Sequence, residues 1–284
     1  MTVRDATALT AFSRCEQEGD YRYNRHFASA RDEDAPHFGA ILHTFRNEYF
    51  LREDADAAVS AAKDAWGAYT PADGEKRTWP LAETMMRAYA EHVGPPSARG
   101  FKVLAGEQPI SDAASGYGGI LDALIEVNGE LAVDDLKSTG LFPSEAFSRQ
   151  YEMSNQISGY LDLAEVATGK PVNQAWIEVW SIPRAAKPDW PNCFKRFGPI
   201  YYSASLRAEL RTLRSNALAL ADQIQRGLHA PKMNPNACFR YNRLCPFFNA
   251  CKSDPDIREA VIQSRLAAGE WVEKEWDFTK RGTE

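Results

Sequence analysis

The chain has 284 residues, 44% hydrophobic and 25% charged, enough to bury a full core in one large domain or a domain with an appendage. Its formal net charge of −6 excludes polyanion binding by overall charge, so any nucleic-acid contact has to come from a local basic groove. No apolar run is long enough to span a bilayer, and the opening MTVRDATALTAF lacks the apolar core of a signal peptide, so the expected compartment is the cytoplasm, where thiols stay reduced.

Residues 1–35 read as polar and irregular apart from a short helical start at residues 8–15. From 38 to 68 the alanine-rich pattern FGAILHTFRNEYF…AAVSAAKDAWGAY places apolar residues in threes and fours, which predicts helix. TPADGEK turns, and a second helix is expected from about 79 to 92, stopped by GPPSARG. The texture then changes. FKVLAGEQPIS, YGGILDALIEV and ELAVDDLKS are short runs with strand-type alternation. Residues 145–168 return to helix, and QAWIEVWSIPR and GPIYYS read as two more strands. SASLRAELRTLRSNALALADQIQRG is an amphipathic helix capped by Gly227, and the charged tail IREAVIQSRLAAGEWVEKEW reads as a last helix. Helices around a small mixed sheet make the fold α/β or α+β.

Asn128-Gly129, between two of the strand runs, is the strongest short-range hairpin signal, because both residues tolerate the positive φ of a type I′ turn. A two-residue loop there sets Val127 opposite Glu130 and, by counting back, Asp122 opposite Asp135 in a non-hydrogen-bonded pair with Cα atoms about 4.5 Å apart. Two carboxylates so close repel unless a cation lies between them, and a divalent ion with oxygen ligands is the natural occupant. Lys137 projects from the same face as Asp135, where an ammonium can orient a water nucleophile or steady charge on phosphate. Asp134 points to the opposite face. Alone, D…DxK is as readily a solvated strand face with an ordinary ion pair.

The pattern does not stand alone. Gly39-x-x-x-His43, Glu107, Asp122, Asp135-Leu136-Lys137 and Gln156-x-x-x-Tyr160 follow one another in order. This set resembles the PD-(D/E)xK nuclease superfamily, and particularly its RecB-like exonuclease branch. The resemblance implies a restriction-endonuclease-like α/β core, with His43, Asp122, Asp135 and the Leu136 carbonyl holding Mg²⁺ or Mn²⁺ and Lys137 as the catalytic lysine. It implies that Gln156 and Tyr160, one helical turn apart, flank the site and contact DNA or Lys137. Glu107, expected in the strand before Asp122, is either an additional acidic group or an exposed strand residue. Leu121 stands where the family's nominal proline would be.

Cys238, Cys245 and Cys251 form C-x6-C-x5-C in a proline-punctuated segment, three soft ligands that need a fourth: Cys15, Cys193 or His229. One subgroup of RecB-like nucleases has one cysteine before the nuclease core and three after it, together binding a [4Fe-4S] cluster. Cys15 looks like that first cysteine and Cys245-x5-Cys251 like its last pair, although the gap of six between Cys238 and Cys245 is wider than usual; zinc is the alternative occupant. Cys193, beside Pro191 with no motif around it, reads as an ordinary thiol. Arg240, Tyr241, Arg243, Phe247 and Phe248 nearby suit either contact with single-stranded DNA or insulation of a cluster.

The resemblance therefore implies one RecB-like nuclease domain over 1–284, with a helical part (1–95), a nuclease core (96–228) and a cysteine segment with a C-terminal helix (229–284). The expected activity is metal-dependent exonucleolysis of DNA ends or single strands in phage or bacterial recombination, repair or processing, with a helicase or recombination protein as partner and no membrane. The rival reading is a non-cleaving DNA-binding or assembly subunit, against which the retention of His43, Asp122, Asp135 and Lys137 speaks. A plain zinc-stabilised interaction module would leave the hairpin acids unexplained.

Overall fold

The computed structural model describes residues 2–30, 34–183, 185, 187–240 and 243–279; Tyr241 lies outside them. Helix α1 (Ala6–Arg14) opens under Asp5, whose carboxylate accepts from the Ala8 N–H at 3.0 Å, and stops at the extended Cys15, which begins the short α2 (Glu16–Gly19). A π-helical turn over Asp20–Asn24 leads to β1 (Phe27–Ser29), so this stretch is ordered where its polarity suggested irregularity. The helix expected over 38–68 is two helices, α3 (Asp34–Arg52) and α4 (Ala55–Trp66). Glu53 takes a φ of 55° and Asp54 caps the Ala57 N–H at 2.9 Å, so the break has its own capping residue. Helix α5 (Trp79–His92) starts with Pro80 in its first turn, as expected.

Two of the expected strand runs are also divided. Strands β2 (Lys102–Ala105) and β3 (Gln108–Asp112) are separated by a bend that holds Glu107, so this residue is not within a strand. Strands β4 (Tyr117–Leu121) and β5 (Ala123–Val127) are separated by Asp122. Strand β6 (Glu130–Thr139) returns from a turn in which Asn128 and Gly129 have φ of 53° and 83°, and its register with β5 runs from Val127↔Glu130 to Ala123↔Asp134. The helix expected over 145–168 is α6 (Glu145–Arg149) and α7 (Asn155–Thr168), restarted where Ser154 accepts from the Ile157 N–H at 3.3 Å and ended by Gly169 in the left-handed region. Then come β7 (Gln174–Ser181), the short α8 (Trp190–Cys193), β8 (Phe194–Tyr201) and α9 (Ala204–Gln225), closed by Gly227 at φ 68°. The cysteine segment holds β9 (Phe239–Arg240), β10 (Arg243–Leu244) and α10 (Phe248–Cys251). The tail is not one helix: α11 (Arg258–Ala267) stops before Gly269 at φ 66°, and β11 (Trp271–Glu273) is a strand.

The chain divides into two units, one of residues 1–33, 113–118 and 212–278, the other of 34–112, 119–211 and 279–284. In the first, β1 and β11 pair antiparallel, and Tyr21, Phe27, Phe247, Ile262 and Trp271 share one small core. The second is built on a five-stranded sheet in the order β2-β5-β6-β7-β8. Only β6 and β7 are parallel, because the connection between them is the long α6–α7 crossover, whereas the other pairings are antiparallel. One face of this sheet, with Ala123, Ile125, Ala132, Leu136 and Trp180, packs under α3, α4 and α5. Helix α7 serves the opposite face, where Lys137 reaches Gln156. Arg207 of α9 fixes α7 by binding both Asp162 and Glu165, the latter at 2.8 Å. Among the described residues no helix is long and apolar enough to cross a membrane.

The helix-covered face carries a buried ionic network that the sequence pattern did not announce. Arg46 of α3 pairs with Asp134 and, at 3.1 Å, with Glu178 of β7; Arg196 of β8 binds Asp134 at 2.7 Å. Glu178 also accepts from the Tyr89 hydroxyl at 2.6 Å and lies 3.3 Å from Arg99. Burial pushes the Glu178 carboxyl up, but Arg99, Arg46 and the Tyr89 hydrogen bond more than offset it, leaving it below the usual glutamate range.

Candidate active site

Strand pairing between β5 and β6 ends at Ala123↔Asp134, one residue short of the pair expected from the loop. Asp122 leaves the ladder, and its Oδ2 accepts the Leu136 N–H at 2.8 Å. Continued pairing would have placed Leu121 opposite Leu136, so the aspartate side chain takes the position of a strand acceptor while the backbone turns away. The two acids are therefore not cross-strand partners; a side chain folded onto β6 brings them together instead. Within a strand, a residue's N–H and C=O project from the same edge, so the Leu136 carbonyl points toward the edge that Asp122 occupies.

His43 comes from α3, with Nδ1 3.2 Å from Asp122 Oδ2 and 3.8 Å from Glu107 Oε1. Asn47, one helical turn on, accepts the Glu107 N–H on its Oδ1 at 2.8 Å and so fixes the bend that carries this acid. The close approach depends on Gly106, where a Cβ would fall 1.9 Å from Asn47 Oδ1. Ligand atoms of His43, Glu107 and Asp122 all lie within 4.8 Å of one another. Glu107, for which the sequence left two readings, is thus at the site.

Asp135 is fully buried, and its Oδ2 lies 2.8 Å from Lys137 Nζ in an ion pair without hydrogen-bond angles. Its carboxyl is raised above the usual range by burial; Lys137 and His43 pull it down, and the Asp122 charge pushes it further up. Lys137 Nζ donates to Gln156 Oε1 at 3.1 Å, and Gln156 Nε2 donates to the Tyr160 hydroxyl at 3.0 Å, so the i,i+4 pair on α7 and the lysine form one chain. Tyr160 can lie against β4 because position 119 is glycine: a Cβ there would be 2.8 Å from the ring. The structure thus brings together His43, Asp122, Asp135, Leu136, Lys137, Gln156, Tyr160 and Glu107.

Two residues with no sequence signal also belong to this neighbourhood. The Tyr151 phenol is raised by burial and then by the Asp135 charge, and Tyr202 at the end of β8 is raised by burial and also feels Asp135. The Tyr202 hydroxyl donates to the Tyr151 carbonyl and accepts the Ser154 N–H at 3.2 Å, which clamps the turn leading into α7.

The local hydrogen bonds separate two roles of Asp122. Asp122→Ala leaves the buried Leu136 N–H without its acceptor and should cost about 1–3 kcal/mol of stability. Asp122→Asn keeps an acceptor there and should melt close to the wild type, as urea denaturation of both variants will show.

The cysteines other than Cys193 sit in the first unit. Cys15 lies between α1 and α2, its sulfur 3.4 Å from the Asn234 N–H; Cys238 and Cys245 flank the β9–β10 ribbon, and the Cys245 N–H donates to the Cys238 carbonyl at 2.8 Å. The ribbon accounts for the six-residue gap, since it returns the chain so that the two cysteines face each other. Cys251 ends α10, and burial, then Cys245 and Cys15, push its thiol up to about 12. Among the described residues no three cysteine sulfurs lie within 4.8 Å of one another. His229 pairs with Glu16 at 2.8 Å, and Cys193 is packed in the core of the second unit.

The five-stranded mixed sheet between helices is the α/β arrangement of a restriction-endonuclease-like core. A crystal structure of a "putative exonuclease" from Eubacterium rectale is similar in fold, with a TM-score of 0.53 at 12% identity over 91% of this chain and 92% of that one. A crystal structure of SSO0001, at 12% identity over 64% of this chain and 74% of the other, has a TM-score of 0.27, too low to inform the site. No curated protein matches the sequence. The sequence profile of the PD-(D/E)XK nuclease superfamily matches residues 6–252, and by that match over most of its length, with the acids and lysine of the motif gathered at the end of β6, the chain belongs to this superfamily.

Proposed function

We propose that this protein is a Mg²⁺- or Mn²⁺-dependent DNA exonuclease acting on ends or single strands. The observation that carries the reading is the convergence of His43, Glu107 and Asp122 at the end of the strand that bears Asp135 and Lys137. The donor set fits a hard divalent ion: carboxylate oxygens with one imidazole, beside a fully buried carboxylate whose Oδ1 has no hydrogen-bond partner among the described residues. His43, Asp122, Asp135, Glu107 and the Leu136 carbonyl would hold it. When bound, such an ion supplies Lewis-acid polarisation of the phosphate and acidifies water.

The remaining steps belong to side chains of the protein. Lys137, held by Asp135 and Gln156, presents its ammonium to a phosphate oxygen or to the water that attacks it. Gln156 and Tyr160 fix the lysine's direction, and Asn47 fixes the bend of Glu107. Cys15, Cys238, Cys245 and Cys251 are proposed to hold a [4Fe-4S] cluster. They come from both ends of one unit, and Cys238, Cys245 and Cys251 each feel the charge of Cys15. A tetrahedral zinc with Zn–S of about 2.3 Å requires sulfurs ~3.8 Å apart. A cluster that gives each thiolate its own iron accepts wider spacing, which favours it here. The reading places the protein in cytoplasmic DNA recombination, repair or processing, with a helicase or recombination protein as partner.

The test compares anaerobically purified wild type with Asp135→Ala on end-labelled linear and circular DNA. Wild type should degrade linear DNA with Mn²⁺ and not with EDTA, and the variant should be slower by about 10²-fold or more. Equal degradation by both would sink the active-site assignment. In the absence of DNA, Mn²⁺ at ~100 times its Kd should stabilise the wild type by about 2.7 kcal/mol in a thermal shift, and Asp122→Asn should lose that gain. Iron and acid-labile sulfide in equal amounts are expected in the purified protein; a colourless protein with stoichiometric zinc would replace the cluster by zinc.

A further inference from the structure

Lys137 takes its direction from Gln156, whose Oε1 accepts the ammonium at 3.1 Å while its Nε2 donates to the Tyr160 hydroxyl at 3.0 Å. Gln156 stands in the weakest part of its helix. Ser154 is the cap of α7, so Gln156 belongs to the first turn, where backbone N–H groups have no partner within the helix and ends fray. The bond that first returns to the cap is that of the Ser158 N–H to the Ser154 carbonyl, at 3.0 Å. Whatever fixes Ser154 therefore fixes the group that aims the lysine.

The junction of β8 and α9 grips α7 at two places. Tyr202 is buried, and its hydroxyl donates to the Tyr151 carbonyl and accepts the Ser154 N–H at 3.2 Å. Arg207, also buried, binds Asp162 and, at 2.8 Å, Glu165 farther along the helix. The two grips are joined to each other. The Tyr202 N–H donates to the Asn173 carbonyl at 3.0 Å, and Arg207 donates to Asn173 Oδ1 at 2.9 Å and to the Val172 carbonyl at 3.1 Å. Gln156 and Tyr160 lie between the grips. Arg207 holds the helix where its own hydrogen bonds already hold it; Tyr202 holds the turn that they do not reach.

The Tyr202 hydroxyl has one proton, and the Tyr151 carbonyl takes it, which leaves none to offer a phosphate. Its effect on the site has to pass through the helix. We infer that Tyr202 is a positioning residue for Lys137: by fixing Ser154 it sets where Gln156 directs the ammonium. The inference rests on the nuclease reading and adds to it a residue whose effect falls on turnover. Metal affinity should be spared, because His43, Glu107, Asp122 and Asp135 come from α3 and from the strands and bends of the sheet, not from α7.

The test compares Tyr202→Phe, Gln156→Ala and the double variant with wild type, each as the full chain, on end-labelled linear DNA in Mn²⁺. Tyr202→Phe should lower kcat by about 10-fold, with KM for DNA and the Mn²⁺ concentration for half activity within about twofold of wild type. Gln156→Ala should lower kcat by about 10–100-fold. Adding Tyr202→Phe to it should cost no more than about twofold further, because both act on one contact. Asp54→Ala, which removes the cap of α4, should destabilise the fold and keep kcat, so a loss of stability alone is told apart. Ser154→Ala, which removes the cap of the Ile157 N–H, should lower kcat in the same way and serves if Tyr202→Phe does not fold. In EDTA without DNA, the Gln156 side-chain amide signal in a ¹H–¹⁵N spectrum, assigned by its loss in Gln156→Ala, should move in Tyr202→Phe and stay in place in Asp54→Ala. A wild-type kcat in Tyr202→Phe overturns the inference, as do losses that multiply in the double variant, a loss confined to KM or Mn²⁺ affinity, or an unmoved Gln156 signal. If wild type cleaves no DNA in Mn²⁺, the nuclease reading fails, and the Gln156 signal still decides whether Tyr202 sets that side chain.

Discussion

Lys137→Met is expected to slow DNA hydrolysis by about 10²–10³-fold and to make the protein less stable as pH rises. Both effects come from the same contact. Lys137 is the largest influence that lowers the buried Asp135 carboxyl, whose range is already raised by burial. A carboxyl raised in the folded state carries no penalty below the unfolded aspartate value of about 3.9 and loses stability as pH climbs through its folded value. Removing the lysine lifts that folded value further, so the two proteins lose stability alike until pH passes the raised wild-type value; there the wild type levels off while the variant goes on falling, and the deficit opens. Lys137 is itself 22% exposed, so the cost should stay at or below about 3 kcal/mol, the lower end for a broken buried pair. Adding Asp135→Asn should recover the stability and none of the activity. Urea denaturation from pH 4 to 8 in EDTA measures this, and parallel profiles for wild type and Lys137→Met would contradict it.

The part of this site that the sequence made legible is the part governed by local rules. Asn128-Gly129 determines the turn, the turn determines the register, and the register separates Asp134 from Asp135 onto opposite faces. Counting could not show that Asp122 leaves the ladder and replaces a strand acceptor with its side chain, because pairing rules assume that the backbone continues. Glu107 was ambiguous for a similar reason: it lies in a bend placed by Asn47 and by the close approach at Gly106, sixty positions from the helix that fixes it. Helix ends were misplaced where a charged residue interrupts an apolar pattern, as at Glu53, or where a turn keeps a helical composition, as at 150–154. The carboxylate cap of Asp54 was a readable signal for the first of these. Tyr202 had none, since its role depends on a turn 48 residues earlier in the chain.

Arg46→Met should unfold more easily than any variant at the site itself, by about 3–5 kcal/mol at neutral pH, which lowers the melting temperature by about 10 °C. The Arg46 side chain is 2% exposed and serves two carboxylates, Asp134 and Glu178, so its loss leaves both undercompensated in the sheet's covered face. Glu178 also makes the effect depend on pH. Its carboxyl lies below the usual glutamate range, so its contribution is present above about pH 4.3 and disappears as pH falls through the depressed folded value. Wild type should therefore lose stability steeply below about pH 4, and Arg46→Met less steeply, so that the two converge in acid. Calorimetry at pH 7 and pH 3.5 distinguishes this from simple loss of packing, for which the difference would be the same at both.

The pairing of β1 with β11 imposes an order on synthesis. Phe27–Ser29 can find Trp271–Glu273 only after about 240 further residues have been made. At ~5–20 residues per second, that is a wait of about 10–50 s on the ribosome. Residues 34–211 are complete well before then, so the unit with the acids and the lysine can close while the first thirty residues, Cys15 among them, still lack their partners. Cys15 and Cys251 thus come into one unit only in the last stage of chain growth or later, and a ribosome stalled before Cys251 would carry residues 34–211 with no means of completing the other unit.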